Sequence, residues 1–96
     1  MKISIEVMGG PIDGHIFQFN KQVQIGREGD VPLSFDYNVS RRHAILDPVA
    51  GGVALEDLGS TNGTFVDGER LEGRTMLRNG QEVIIGGKTR LMVTWE

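Results

Sequence analysis

The sequence predicts an all-β fold, a sandwich or a barrel, and two observations support this prediction. Apolar residues recur at every second position along most of the chain, as in Ile3, Ile5 and Val7, which alternate with polar residues. A period of two places alternate side chains on one face of a strand. Turn-forming pairs such as Asp13-Gly14 and Asn62-Gly63 separate the short runs. No long window shows the apolar spacing of an amphipathic helix.

Each predicted strand is a short run of this kind, bounded by a turn. In chain order the runs lie at residues 3–7, 17–19, 23–25, 43–46, 53–56, 64–66, 82–85 and 91–95. Asp67-Gly68 and Asn79-Gly80 are predicted to be hairpin turns, because Asp-Gly and Asn-Gly pairs favour the tight turns that join antiparallel strands. Many short strands with frequent turns favour a sandwich or barrel.

Composition excludes several classes of protein. A chain of 96 residues suits one domain, expected to span residues 1–96. The absence of cysteine excludes disulfides and thiolate metal sites. His15 and His43 are far apart, so neither a metal nor a cofactor is expected. No apolar run approaches the roughly 20 residues that span a bilayer. The N-terminus does not resemble a secretory signal, which predicts a cytoplasmic protein without membrane contact.

The charge pattern disfavours nucleic acid and favours a small anion. Ten basic residues against 13 acidic ones give a net charge of −3, whereas nucleic-acid binders carry a basic excess. The basic residues are unevenly placed, however. From Tyr37 to Leu46 there is no acidic residue, and Arg41 and Arg42 lie side by side there. A local basic focus in an acidic protein fits one small anionic ligand.

Three stretches at predicted strand ends carry hydrogen-bond donors. They are Gly26-Arg27, Ser40-Arg41-Arg42-His43 and Ser60-Thr61-Asn62-Gly63. Arginine binds phosphate oxygens through two parallel hydrogen bonds, and loop hydroxyl and amide groups complete such a site. Taken singly, each stretch also has an ordinary interpretation as a strand end, a solvated loop or a turn.

Together, these stretches resemble a forkhead-associated (FHA) domain, a β-sandwich that recognises phosphopeptides. The resemblance lies in Ile25-Gly26-Arg27, in Val39-Ser40-Arg41-Arg42-His43-Ala44 and in the run from Leu58 to Gly68. It extends from about Ile3 to Val93. It implies a two-sheet antiparallel β-sandwich of ten or eleven short strands, the FHA/SMAD-like architecture.

The resemblance also implies roles for individual residues. The residues that match phosphate-binding positions are Arg27, Ser40, Arg41 and Thr61. Asn62 matches a position that binds the peptide backbone, and Asn38 matches one that contacts the peptide in some relatives. Gly26, His43 and Gly63 match structural positions: the glycines shape the loops and the histidine braces them. Arg42 is expected at the rim, since side chains of consecutive residues point to opposite faces.

The function that follows from the resemblance is a phosphothreonine-binding signalling module and not an enzyme. The sequence offers neither a catalytic triad nor a facing carboxylate pair. The expected partner is a phosphothreonine-containing protein, a substrate of a Ser/Thr kinase, bound by a monomer. Two differences from the usual FHA pattern leave an alternative open, namely a phosphate-independent interaction domain. Glu28 follows Arg27 directly, and the 28–38 loop is shorter than in common family members.

Overall fold

A computed structural model describes residues 1–96 as eleven short β-strands without a helix. The all-β prediction and the expected number of strands are confirmed. No helix has the length and apolar character needed to cross a bilayer. The strands are β1 (Ile3–Met8), β2 (Ile16–Phe19), β3 (Val23–Gly26), β4 (Val31–Pro32), β5 (Ala44–Val49), β6 (Gly52–Asp57), β7 (Thr64–Val66), β8 (Glu69–Arg70), β9 (Arg74–Met76), β10 (Gln81–Ile85) and β11 (Thr89–Trp95).

The strands form two sheets. The larger sheet has the order β2-β1-β11-β10-β7-β8, and the smaller one has the order β4-β3-β5-β6-β9. Neighbouring strands are antiparallel except β3 and β4, whose two-residue pairing is parallel. Two features of the intervening loop bring the chain back beside β3. Gly29 has a φ of 130°, and the Asp30 carboxylate accepts a hydrogen bond from the backbone amide of Gln24 at 2.9 Å.

The core lies between the sheets and consists of the inward side chains of both. Seventeen buried apolar residues form one cluster. In β1 the alternation predicted from the sequence is confirmed, because Ile3, Ile5 and Val7 are fully buried. Burying such a side chain contributes about 1.5–3 kcal/mol. Since alternate strand positions are committed to this core, chemistry is left mainly to the loops.

One predicted hairpin turn is confirmed and the other is wrong. Asp67-Gly68 joins β7 to β8 with φ values of 53° and 79°, as a tight hairpin turn requires. Asn79-Gly80 instead connects β9 and β10, which belong to different sheets. The Asn79 side chain pairs with the backbone of Trp95, donating to its carbonyl at 2.6 Å and accepting from its amide at 3.0 Å. Here an Asn-Gly turn therefore leads the chain from the smaller sheet to the larger one.

Candidate functional site

Three connections meet at one end of the sandwich. They are residues 27–30, 33–43 and 58–63, here called the loop end. The amide of Arg27 donates to the carbonyl of Ser40 at 3.0 Å, which joins the first two connections. The amide of Thr61 donates to the Ser40 hydroxyl oxygen at 3.1 Å, which joins the second to the third. Ser40 is therefore the residue at which all three connections meet.

Gly26 allows the first two connections to pack backbone against backbone. A Cβ atom at this position would lie 2.1 Å from the carbonyl oxygen of Arg41 and 2.9 Å from that of Ser40. No real side chain tolerates such distances. The absence of a Cβ is thus the condition under which Arg27, the next residue, lies beside Ser40.

Arg27 is the cation at the loop end that lacks an anionic partner and is partly buried. Its Nε is buried without a hydrogen-bond partner. An unpaired buried donor costs about 1–3 kcal/mol. A guanidinium with free donors binds a phosphate through two parallel, charge-assisted hydrogen bonds. The geometry at Arg27 therefore suits a bound anion.

Arg41 and Arg42 differ from Arg27 in exposure. The side chains of Arg41 and Glu28 are 75% and 74% exposed, and Arg41 Nε lies 3.9 Å from Glu28 Oε2. Arg42 is exposed and makes no ion pair with any carboxylate of the chain. Glu28, which raised the alternative of a phosphate-independent domain, thus faces Arg41 and leaves Arg27 free.

Asn38 and Asn62 are linked to each other beside this cluster. The side-chain amide of Asn62 donates to the Asn38 carbonyl at 2.9 Å. This bond fixes the amide group and leaves the Asn62 side-chain oxygen without a partner in the chain. Both residues are exposed. The structure thus brings the predicted peptide-contacting pair together at the loop end.

His43 braces the loops from beneath and is fully buried. Its Nδ1 accepts the Ser40 amide at 3.0 Å, so the ring proton must be on Nε2. That nitrogen lies 2.7 Å from the Gly63 carbonyl oxygen and donates to it. Gly63 has a φ of 90°, a conformation that favours glycine. The histidine thus ties the second connection to the third through both ring nitrogens.

The comparisons with known proteins identify the family. The family model for the FHA domain matches residues 23–86, which contain β3 to β10 and every residue of the loop end. The chain belongs to the FHA family.

Curated relatives of this FHA chain include mycobacterial proteins. Glycogen accumulation regulator GarA of Mycolicibacterium smegmatis is 39% identical over 90% of this chain and 54% of its own length. FHA domain-containing protein FhaB of the same species is 42% identical over 70% of this chain and 44% of its own length. An ABC transporter ATP-binding/permease protein of Mycobacterium tuberculosis is 42% identical over 67% of this chain. The match covers 7% of that protein, so this chain spans only part of these relatives.

Solved FHA structures share the whole fold. The FHA domain of CT664 protein from Chlamydia trachomatis superposes with a TM-score of 0.87 at 28% identity, covering 100% of this chain and 99% of that one. A structure from an analysis of phosphothreonine-dependent FHA domain interactions gives 0.85 at 26% identity, covering 100% and 98%. The FhaA FHA domain, complexed with the intracellular domain of Rv3910, gives 0.81 at 28%, covering 95% and 98%.

Asp57 organises the third connection of this FHA domain, a role that sequence reasoning missed. One carboxylate oxygen accepts the amides of Gly59 and Ser60, both at 3.0 Å. The other accepts the hydroxyls of Ser60 at 2.5 Å and Thr64 at 2.7 Å. Burial opposes ionisation of Asp57, but the hydrogen bonds from Ser60 and Thr64 outweigh it and hold the pKa below its ordinary value. The sequence does contain a signal for this role, because Asp57 lies three positions before Ser60, a spacing at which a carboxylate can accept hydrogen bonds from a turn.

Asp36 has a comparable role in the second connection, and it was also missed. This carboxylate is 9% exposed. It accepts hydrogen bonds from the hydroxyl of Thr89 at 2.5 Å and from the backbone amide of Asn38 at 2.9 Å. The Thr89 bond joins residues 53 positions apart, so only the fold reveals it. Asp36 thereby anchors Asn38 to the start of β11.

Proposed function

We propose that this FHA domain, comprising residues 1–96, binds a phosphothreonine-containing segment of a partner protein at the loop end. The observation that supports the proposal most is the partly buried Arg27 guanidinium, which has no anionic partner and adjoins Ser40. A phosphate carrying a charge of about −1.5 to −2 supplies the missing acceptor oxygens. Family membership and the FHA structure studied for phosphothreonine-dependent interactions support the same ligand.

Each predicted residue has a role in this proposal. Arg27 and the Ser40 hydroxyl bind the phosphate, and the exposed side chain of Thr61 encloses the phosphothreonine. Arg41 adds a contact at the rim, weakened by Glu28 at 3.9 Å. Asn62 presents its free side-chain oxygen to the backbone of the peptide, and Asn38 extends that contact.

The module acts by binding alone, as a cytoplasmic monomer without catalytic activity or cofactor. The partner is the product of a Ser/Thr kinase. We expect dissociation constants in the micromolar range, or about 8 kcal/mol of binding free energy. Within a longer protein, such a module would recruit a phosphorylated partner to whatever lies beside it in the chain.

Calorimetric titration with matched peptides tests the proposal. A phosphothreonine peptide is compared with its unphosphorylated, phosphoserine and glutamate counterparts. Arg27→Ala removes the charge-assisted bonds to the phosphate, each worth about 1.5–3 kcal/mol, so we expect at least about a tenfold loss of affinity. Arg78→Ala is the matched control, because Arg78 is an exposed arginine paired with Asp67 away from the loop end.

Two further variants distinguish the contribution of Arg41 to the binding affinity from that of Arg27. We expect Arg41→Ala to weaken binding less than Arg27→Ala does, because Arg41 is exposed and already near a carboxylate. Glu28→Gln should strengthen binding by removing a competing anion. Equal affinity for the phosphorylated and unphosphorylated peptides would contradict the proposal and favour the phosphate-independent alternative.

A further inference from the structure

The outer face of the larger sheet carries a row of four side chains that the phosphate site does not use. Directly paired residues of neighbouring antiparallel strands share one face of a sheet. The strand registers pair Arg70 with Phe65, Phe65 with Ile84, and Ile84 with Arg90. These four residues therefore lie in one cross-strand row over β8, β7, β10 and β11, here called the arginine row, which continues beyond Arg90 to Met8 of β1.

The arginine row faces away from the core. Neighbouring strand positions such as Ile85 point inward and are fully buried. Within the row, both arginines are exposed, while Phe65 and Ile84 are partly exposed. On this surface the two arginines therefore flank a partly exposed apolar centre.

The row is continuous with the loop end through Gly63. A Cβ atom at Gly63 would lie 2.9 Å from Nε of Arg70 and 3.1 Å from Cε1 of Phe65. The Nη2 atom of Arg70 also lies 3.5 Å from the carbonyl oxygen of Ser60. A chain bound beside Thr61 can therefore continue onto this face directly.

The charges on the face favour an acidic ligand next to the loop end. Arg70 has no carboxylate partner, and Arg90 makes only a 3.9 Å contact with Glu82. One step farther from the loop end, the next cross-strand row contains Glu82, Met92 and Glu6. The two glutamates repel acidic groups there, which confines an acidic ligand to the arginine row.

We propose that the arginine row binds an acidic segment of the same phosphorylated partner, with an apolar residue between two carboxylates. This inference rests on the proposed function, because it extends the phosphate site. Three strand spacings of roughly 4.8 Å separate the two arginines, about 14 Å in all. Five extended residues span about the same length. A carboxylate at each end then faces an arginine, and the central apolar side chain contacts Phe65 and Ile84.

Binding of three kinds of synthetic peptide tests the inference. The short peptide has five residues with phosphothreonine at its centre and alanine elsewhere. The acidic peptide adds Glu-Ala-Leu-Ala-Glu through a flexible Gly-Ser spacer, in one version before and in another after the phosphothreonine. The basic peptide carries lysine in place of both glutamates. Exposed ion pairs change affinity by factors of about 1.5 to 5 each. We therefore expect one acidic version to bind about 3- to 10-fold more tightly than the short peptide at low salt.

The ratio of acidic-peptide to short-peptide affinity is the readout for the variants. Arg70→Gln together with Arg90→Gln should bring this ratio close to one. Arg70→Glu together with Arg90→Glu should make the domain bind the basic peptide more tightly than the acidic one. Arg78→Glu is the matched control, since it reverses an exposed arginine off the row, and it should leave most of the ratio in place. A ratio of one for the unaltered domain would overturn this inference alone. Failure of every phosphopeptide to bind would overturn the proposed function and this inference with it.

Discussion

A buried side chain, His43, joins the second and third connections from beneath, in addition to the bonds that Thr61 and Asn62 make across them. Its Nδ1 accepts a hydrogen bond from the Ser40 amide, and its Nε2 donates one to the Gly63 carbonyl. Ser40 in turn receives the Thr61 amide on its hydroxyl. The residues assigned to the phosphate are therefore positioned by an imidazole that lies beneath them and does not need to touch the ligand.

His43→Ala tests this positioning role. The change leaves the Ser40 amide without its acceptor and opens a cavity, so we expect a loss of about 2–5 kcal/mol of folding free energy. The affinity of the folded protein for a phosphothreonine peptide should also fall at least about fivefold, which corresponds to roughly 1 kcal/mol. Denaturant titration and calorimetry at a temperature where the variant is folded measure both quantities. Unaltered affinity would contradict the bracing role.

At the scale of the element, the turn between β6 and β7 depends on one carboxylate. Asp57 receives four hydrogen bonds from the turn and the start of β7, and its side chain is 14% exposed. Its pKa is below the ordinary value. A carboxyl with a lowered folded-state pKa contributes stability that is complete above its unfolded pKa of about 3.9. That contribution is lost as the pH falls through the folded-state pKa.

Asp57→Asn should therefore destabilise the domain in a pH-dependent way. We expect a loss of about 1–3 kcal/mol at pH 7, from weakened hydrogen bonds to the turn. The difference from the unaltered protein should shrink when the pH is lowered through the folded-state pKa of Asp57. Urea denaturation across this range measures it. Glu72→Gln is the control, because Glu72 makes neither a hydrogen bond nor an ion pair. A pH-independent difference for Asp57→Asn would argue against this role of the ionised carboxylate.

Strand prediction worked best where burial enforces alternation. In β1 the alternating residues Ile3, Ile5 and Val7 are fully buried. In β11 Leu91 and Val93 are fully buried, while Trp95 at the end of the strand is partly buried. Three short strands, β4, β8 and β9, contain two or three residues each and lie at sheet edges. Such strands are too short to show a period, and their pairing depends on where the rest of the chain brings them. The prediction of a hairpin at Asn79-Gly80 was wrong for a related reason. The dipeptide indicates a turn but not which sheet the next strand joins.

At the scale of the whole molecule, the shared core keeps the loop end in place without contributing to its chemistry. Both sheets contribute to one cluster of 17 buried apolar residues. Leu46, in the middle of β5, is fully buried in this cluster. The strands it stabilises carry the three connections, but Leu46 itself lies away from them.

Leu46→Ala should therefore change stability and leave recognition intact. We expect a loss of about 2–5 kcal/mol from the deleted methyl groups and the resulting cavity. The folded variant should bind a phosphothreonine peptide within about twofold of the unaltered affinity. Because its stability loss matches that expected for His43→Ala, this variant also serves as the matched comparison for that test. A large loss of affinity would mean that general loosening of the core is enough to impair the site.

Alternation and motif spacing are local properties of the chain, so the sequence alone predicts the all-β class and the family resemblance. It also predicts ligand-binding roles for loop residues such as Arg27 and Ser40, but it misses the supporting carboxylates Asp57 and Asp36. Which of these residues have partners becomes visible only in the folded structure. It paired Arg41 with Glu28, left Arg27 without an anion, fixed the proton of His43 on Nε2 and aligned two arginines across four strands. These features depend on contacts between segments far apart in sequence. Such contacts exist only once the strands have paired and the loops have met.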